Sequence, residues 1–210
     1  GAGRTELARA IFGADSKDSG KVELFGKEVK LRNPMEAIKN GIGYVTEDRK
    51  KDGLMLSLSL KENILVANYD QYCKHGIVND SKANAIADDF IKKLRIKSRG
   101  RSQTVVTLSG GNQQKAVVSK WLCTNVDILI MDEPTRGVDV GAKYEIYELM
   151  YDLVKNGMTI IMISSELPEI LGMSDRILVM SEGRITAELN AQQADQDMIL
   201  KYAMPQWEEK

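Results

Sequence analysis

The sequence predicts an α/β fold with a mainly parallel sheet core, a small antiparallel β part and an inserted α-helical subdomain. Three observations carry that prediction. VDILIMDEP (126–134) and MTIIMISSE (158–166) are continuous apolar runs closed by acids, the pattern of buried parallel strands. The amphipathic GAKYEIYELMYDLVKNG (141–157) joins them, giving the strand–helix–strand alternation of a sheet with helices on both faces. The block from Lys61 to about Arg99 is instead mainly helical, interrupted near YCKHGIVND (72–80).

The elements follow in order. GAGRTELARAIFG (1–13) opens on glycines and continues with Leu7, Ala10 and Ile11 at helical spacing, so it predicts a phosphate-binding loop leading into a helix. Such a loop follows a buried strand, and the expectation is a domain that starts here without its first strands. KVELFGKEVKL (21–31) alternates around Gly26-Lys27 and predicts a hairpin. Asn33, Pro34 and Glu36 form a helix start, with a cap residue, a proline in the first turn and an acid three after the cap. IGYV (42–45) is a short buried strand ending at the charged TEDRKKDG (46–53). After the second apolar strand, ELPEILGMS (166–174) is a short helix, and DRILVMSEGRITAEL (175–189) is a hairpin turning at Glu182-Gly183. The organisation expected is one domain over 1–210, with an α/β core in 1–53 and 119–210 and a helical subdomain in 54–118.

Composition narrows the function. A formal charge of −1 over 210 residues, with both signs interspersed, gives no electrostatic reason for a nucleic-acid partner. Cys73 and Cys123 form no CxxC pattern, and His75 is the only histidine, so a zinc site is not expected and a reduced cytosolic setting is the simpler reading. No apolar run approaches the roughly 20 residues of a membrane helix, so work at a membrane would go through partners. Tyr144, Tyr147 and Tyr151 fall near helix spacing and read as packing; DRKK (48–51) reads as a solvated loop; Cys123 reads as buried.

Two stretches carry chemistry. ILIMDEPT lifts Asp132 to the carboxyl edge of a sheet, where it can hold Mg²⁺, and sets Glu133 beside it to polarise an attacking water. LSGGNQQK (108–115) offers the Ser109 hydroxyl and two glycines, Gly110 and Gly111, that let backbone amides approach a ligand at a helix start. Unpaired N–H groups and the helix dipole favour an anion there. A serine-capped helix after a Gly-Gly turn is the structural alternative.

LSGGNQQK together with DEPTRGVD resembles the ATP-binding-cassette family of P-loop NTPases. Adding GAGRTEL, GYVTEDRKKDGL, MDEPTRGVDVGAK and ISSELPEILGMSDRI, the chain is similar throughout its length to the second cassette of tandem ATPases from bacterial monosaccharide importers, the ribose type in particular. The resemblance implies ATP and Mg²⁺ as ligands and ATP hydrolysis as the reaction. It makes Asp132 the Walker B aspartate, Glu133 the catalytic glutamate and Asp139 the D-loop aspartate. Gly1, Gly3, Arg4 and Thr5 match the end of the phosphate loop, with Thr5 a magnesium ligand beside Asp132 and Arg4 in place of lysine. Ser109, Gly110, Gly111 and Gln113 match the signature. Glu47 stands where most cassettes have the Q-loop glutamine, and Ser165 stands in the catalytic position of the switch histidine.

The implied partners are an N-terminal cassette of the same polypeptide, transmembrane permease subunits and, indirectly, a periplasmic or extracellular sugar-binding protein. The implied place is the cytoplasmic face of the membrane, peripherally. Arg4, Glu47 and Ser165 all fall in the site that the chain builds with its own phosphate loop. Losing one preorganised transition-state contact costs on the order of 3 kcal/mol, so that site is expected to be slow. The intact signature would then serve ATP held by the partner cassette. A non-hydrolysing regulatory cassette is the alternative. A soluble cassette of DNA repair, chromosome organisation or translation fits poorly, since zinc cysteines and long heptad inserts are lacking.

Overall fold

Helix α1 (Arg4–Phe12) starts behind Gly3 and is held down at its far end by aromatic packing. The Phe12 ring lies 5.5 Å from those of both Tyr44 and Trp121. Residues 2–204 are described in this computed structural model, so Gly1, expected at the phosphate loop, lies outside them. Strands β1 (Val22–Leu24) and β2 (Lys27–Val29) form the expected hairpin. Its turn is Phe25-Gly26, with φ of 51° and 76°, one residue earlier than Gly26-Lys27. Two successive positive φ values suit a two-residue hairpin loop because they match the strand twist.

Helix α2 (Pro34–Lys39) starts as its sequence dictates: the Asn33 side chain accepts from the Glu36 N–H. The Glu36 carboxylate reaches back to the Arg32 N–H, at 2.7 Å. Strand β3 (Ile42–Val45) is buried at every position. A π-helical turn, Arg49–Gly53, follows it. Helix α3 (Leu60–Leu65) opens with a full capping box between Ser59 and Glu62. The interruption expected near 72–80 is a small hairpin of β4 (Cys73–Lys74) and β5 (Ile77–Val78), after which α4 (Asp80–Lys93) begins at an Asn79 cap.

Helix α5 (Gly110–Leu122) leads from the helical block back to the sheet. Strand β6 (Ile128–Asp132), helix α6 (Val140–Lys155) and strand β7 (Thr159–Ile163) then give the expected strand–helix–strand unit. Helix α7 (Leu167–Met173), strands β8 (Arg176–Ser181) and β9 (Arg184–Asn190), and helix α8 (Gln196–Ala203) complete the described chain.

The parallel sheet has the order β3–β6–β7, with Tyr44 beside Ile130 and Ile130 beside Ile161. Central β6 is almost wholly buried. Strand β7 departs from expectation: among the described residues it pairs on one side only, and Ile161 is 43% exposed. An apolar run is buried on both sides only if neighbours cover both, and here the second flank faces an apolar cavity of about 430 Å³. That cavity separates β7 from the β8–β9 hairpin and is roofed by α1 and α8.

The main core takes in the sheet and the helical block together. Leu60, Ile64 and Val105 from the block are as fully buried as Leu129 and Ile130 of the sheet. Full burial of such a side chain is worth about 1.5–3 kcal/mol, so the helical block and the sheet stabilise each other. Ile177, Val179 and Ile199 form a separate small cluster under β8, β9 and α8.

Candidate functional site

Asp132 ends β6 with no solvent exposure. Its Oδ2 accepts a hydrogen bond from the Tyr44 hydroxyl at 3.0 Å, while Oδ1 is buried with no hydrogen-bond partner among the described residues. Burial, with the Asp132 charge second, raises the Tyr44 phenol above its ordinary value, so it stays a donor. A buried carboxylate oxygen without a donor is what a hard cation coordinates. Among the described residues no group of three or more acidic, His or Cys side chains could form a metal cage. Mg²⁺ keeps waters and phosphate oxygens and takes only one or two protein ligands. Asp132, with the hydroxyl of Thr5, would hold it.

Glu133 adopts φ of 47°, unusual for a residue with a Cβ, and its N–H donates to the Ile163 carbonyl at 2.8 Å. Chain reversal directly after β6 turns this carboxylate back towards the end of β7. Burial raises its pKa, opposed by hydrogen bonding from Ser165 and by the Arg4 charge. Glu133, Ser165 and Arg4 are therefore one cluster. Arg4 itself donates from Nη1 to the Ser164 carbonyl at 2.9 Å, so its guanidinium is engaged at the end of β7. Gly3, at φ of 89°, gives α1 its left-handed entry.

Thr5 and Glu47 line a neighbouring cleft of about 550 Å³ together with Tyr44, Arg49 and Arg136. Glu47 forms an ion pair with Arg136, so its charge is already matched within the chain.

None of the signature residues lines that cleft, although Gly110 abuts Arg49 and Gly137 at its edge. Ser109 is the N-cap residue of α5, yet its side chain caps nothing. Its hydroxyl accepts from Asn112 Nδ2 at 2.8 Å instead. First-turn N–H groups have no intrahelical acceptor, and with no side-chain cap those of Gly110, Gly111 and Asn112 have none among the described residues. The serine-cap alternative is thereby removed, and the helix start is left open to an anion. Gln113 does not join this group: it is 4% exposed, and its amide donates to the Val105 carbonyl at 3.2 Å. Both glycines have steric reasons as well. A Cβ on Gly111 would lie 2.6 Å from the Ala142 Cβ, and one on Gly110 would lie 2.9 Å from Arg49 Nη2. Asp139 caps α6 by accepting from the Ala142 N–H at 2.9 Å.

Sequence reasoning missed Tyr44, Arg49 and Asn112. Tyr44 is a polar-tipped residue inside an otherwise apolar strand, which could have marked it. Asn112 directly follows the two glycines of the signature. Arg49 was hidden in a charge run.

The family described as ABC transporter matches residues 1–136. The chain is 50% identical over 206 residues to the ribose import ATP-binding protein RbsA of Clostridium tetani, covering 97% of this chain and 41% of that protein. It is 52% identical over 201 residues to the xylose import ATP-binding protein XylG of Thermoanaerobacter pseudethanolicus, covering 95% of this chain and 40% of that protein. The chain thus spans about two fifths of the length of these relatives. Among solved structures, the ATP-binding cassette MJ1267 superposes with a TM-score of 0.81 at 22% identity, over 97% of this chain and 84% of that one, a likeness of fold. On the family match and these relatives, the chain belongs to the ATP-binding-cassette family of transporter ATPases.

Proposed function

We propose that this chain is the nucleotide-binding cassette of a bacterial monosaccharide importer, ribose-like in its substrate, and that its signature completes an ATP site on a partner cassette. The open start of α5 is the observation that carries the reading. Ser109 spends its hydroxyl on Asn112, and three N–H groups have no acceptor among the described residues. Two cassettes facing head to tail would place those donors against the γ-phosphate of ATP bound by the other cassette. The donors are fixed before charge develops, so they stabilise the transition state without reorganising. The partner is the N-terminal cassette of the same polypeptide, and permease subunits dock both at the cytoplasmic face of the membrane. Closure of the two cassettes around ATP drives the permease between states.

The chain's own site supports a weaker role. Arg4 is held by the Ser164 carbonyl and Glu47 by Arg136, while Ser165 and Arg4 bear on the charge of Glu133. Magnesium would supply charge neutralisation of the phosphates there, with Asp132 and Thr5 as its ligands. Glu133 can still accept a proton from water. Ser165 can orient Glu133, but its hydroxyl lacks the reach of an imidazole.

ATP turnover by the two-cassette polypeptide tests this. Ser109→Arg is expected to abolish turnover, because the side chain fills the anion site, while Glu133→Gln leaves most of it. Equal damage from Glu133→Gln would make the chain's own site catalytic and overturn the asymmetric reading.

A further inference from the structure

Three separate segments meet at one buried side chain, Arg49. It is 8% exposed, although its neighbours Lys50 and Lys51 in the same charge run are exposed. Its Nη1 donates to the Arg136 carbonyl at 2.6 Å and its Nη2 to the Gly137 carbonyl at 2.9 Å. Nη2 also lies 2.9 Å from the place a Cβ on Gly110 would occupy, and the Gly137 oxygen lies 3.0 Å from it. The guanidinium therefore sits between the segment after β3, the first residue of α5 and the turn that precedes Asp139. Among the described residues it forms no ion pair, and Asp48 is the charge that acts on it through space. Gly137 holds a left-handed φ of 65°, and two hydrogen bonds to successive carbonyls fix that turn. On the exposed side, the Glu47–Arg136 ion pair clamps the same two segments together.

We propose that Arg49 is a positioning residue: it locks the turn before Asp139 against the start of α5, so that the amides behind Ser109 and the carboxylate of Asp139 are set as one unit. The proposal rests on the reading that Ser109 completes a partner's site. Arginine is required because its planar fork reaches two carbonyls at once, whereas a lysine ammonium is a point charge on a flexible stem. Burying a cation with only dipoles around it is unfavourable, so the site is held by the fold for its geometry. Gly110 is fixed by the same contact, since any side chain there would displace the guanidinium.

The test is MgATP turnover by the two-cassette polypeptide carrying Arg49→Met, Arg49→Lys or Ser109→Arg, at a temperature where circular dichroism shows each variant folded. Arg49→Met is expected to lower kcat roughly tenfold to a hundredfold, the size of effect a misplacement of about 1 Å produces, with KM changed by less than about threefold. Arg49→Lys is expected to fall between Arg49→Met and the parent. Amide hydrogen exchange at residues 110–112 and 136–139 is expected to accelerate in both Arg49 variants, with the β6 amides unchanged. This readout applies to Arg49→Lys even if Arg49→Met does not fold. Parental turnover and exchange in the Arg49 variants, with turnover lost in Ser109→Arg, would overturn the proposal alone. Turnover surviving Ser109→Arg would overturn the partner-site reading and this proposal with it.

Discussion

The Tyr44 hydroxyl donates to Asp132 Oδ2 at 3.0 Å, joining the middle of β3 to the carboxylate that ends β6. Neighbouring parallel strands are thereby fixed at the carboxylate proposed to hold magnesium. Tyr44 also packs against Phe12, so α1, which carries Thr5 and Arg4, is referenced to the same side chain.

Tyr44→Phe keeps the ring packing and removes the hydrogen bond. Asp132 then has two buried oxygens without a donor. A hydrogen bond to a charged group is worth about 1.5–3 kcal/mol, so stability in urea is expected to fall by about 2 kcal/mol with the m-value unchanged. An unmoved midpoint would mean that water replaces the hydroxyl and that the tie between the strands is not structural.

Much of the framework was legible in local chemistry. Asn33-Pro34 with Glu36 gave a helix start, and Glu182-Gly183 gave a hairpin turn, because each depends on neighbours in sequence. Features that depend on distant partners were not legible. MTIIMISSE reads as buried, yet β7 is half open, because the pattern cannot say whether both flanks are covered. Tyr144 and Tyr151 were expected to pack, but each is 65% exposed. Arg49 read as solvated because the carbonyls that hold it come from residues 136 and 137. Within the site, Asp132 and Glu133 followed from the strand pattern, whereas the inward turn of Gln113 could not be told from its place in LSGGNQQK.

Gly111→Ala tests the contact between α5 and α6. The added methyl would meet the Ala142 Cβ at 2.6 Å, and neither atom belongs to a flexible side chain. Overpacking of this kind costs about 1–3 kcal/mol, partly offset by roughly 1 kcal/mol of better helix propensity. A net loss of up to about 2 kcal/mol is expected in thermal or urea unfolding. Pairing it with Ala142→Gly should restore much of the loss, giving a favourable coupling energy in a double-mutant cycle. Additive losses would show that the helices separate freely.

Lys120 supplies a pH test. Burial lowers its pKa to about 8, while its ammonium donates to the Gly53 carbonyl at 2.8 Å and lies 4.8 Å from the Trp121 ring centre. Between about pH 8 and the ordinary lysine value near 10.4, the unfolded chain binds the proton more tightly than the fold does. Stability conferred by Lys120 therefore rises with pH across that window and is at its lowest below it. The parent should gain on Lys120→Met by up to about 3 kcal/mol between pH 8 and 10.5, less whatever solvent reaches the ammonium. A flat difference would mean that the carbonyl and the indole hold the charge as well as water does.

Glu133 gives the opposite sign, and its test separates stability from chemistry. Burial raises its pKa, and Ser165 and Arg4 pull against that shift without cancelling it. Below the ordinary glutamate value of about 4.3, both the folded and unfolded chains carry the proton and the residue imposes no penalty. As pH rises past that value the unfolded chain ionises first, and the fold is penalised increasingly until its own carboxyl has ionised. Glu133→Gln removes the ionisation and can still accept a hydrogen bond from Ser165. It is therefore expected to raise the melting temperature at about pH 7.5 and to leave it nearly unchanged at about pH 4. A carboxyl held above its usual range is also better matched to taking a proton from water, so a stabilised Glu133→Gln protein would show that the position is kept for reactivity at a cost to the fold. If the substitution instead destabilises the protein at neutral pH, the Ser165 and Arg4 contacts outweigh burial, and Glu133 serves mainly to anchor the ends of β6 and β7.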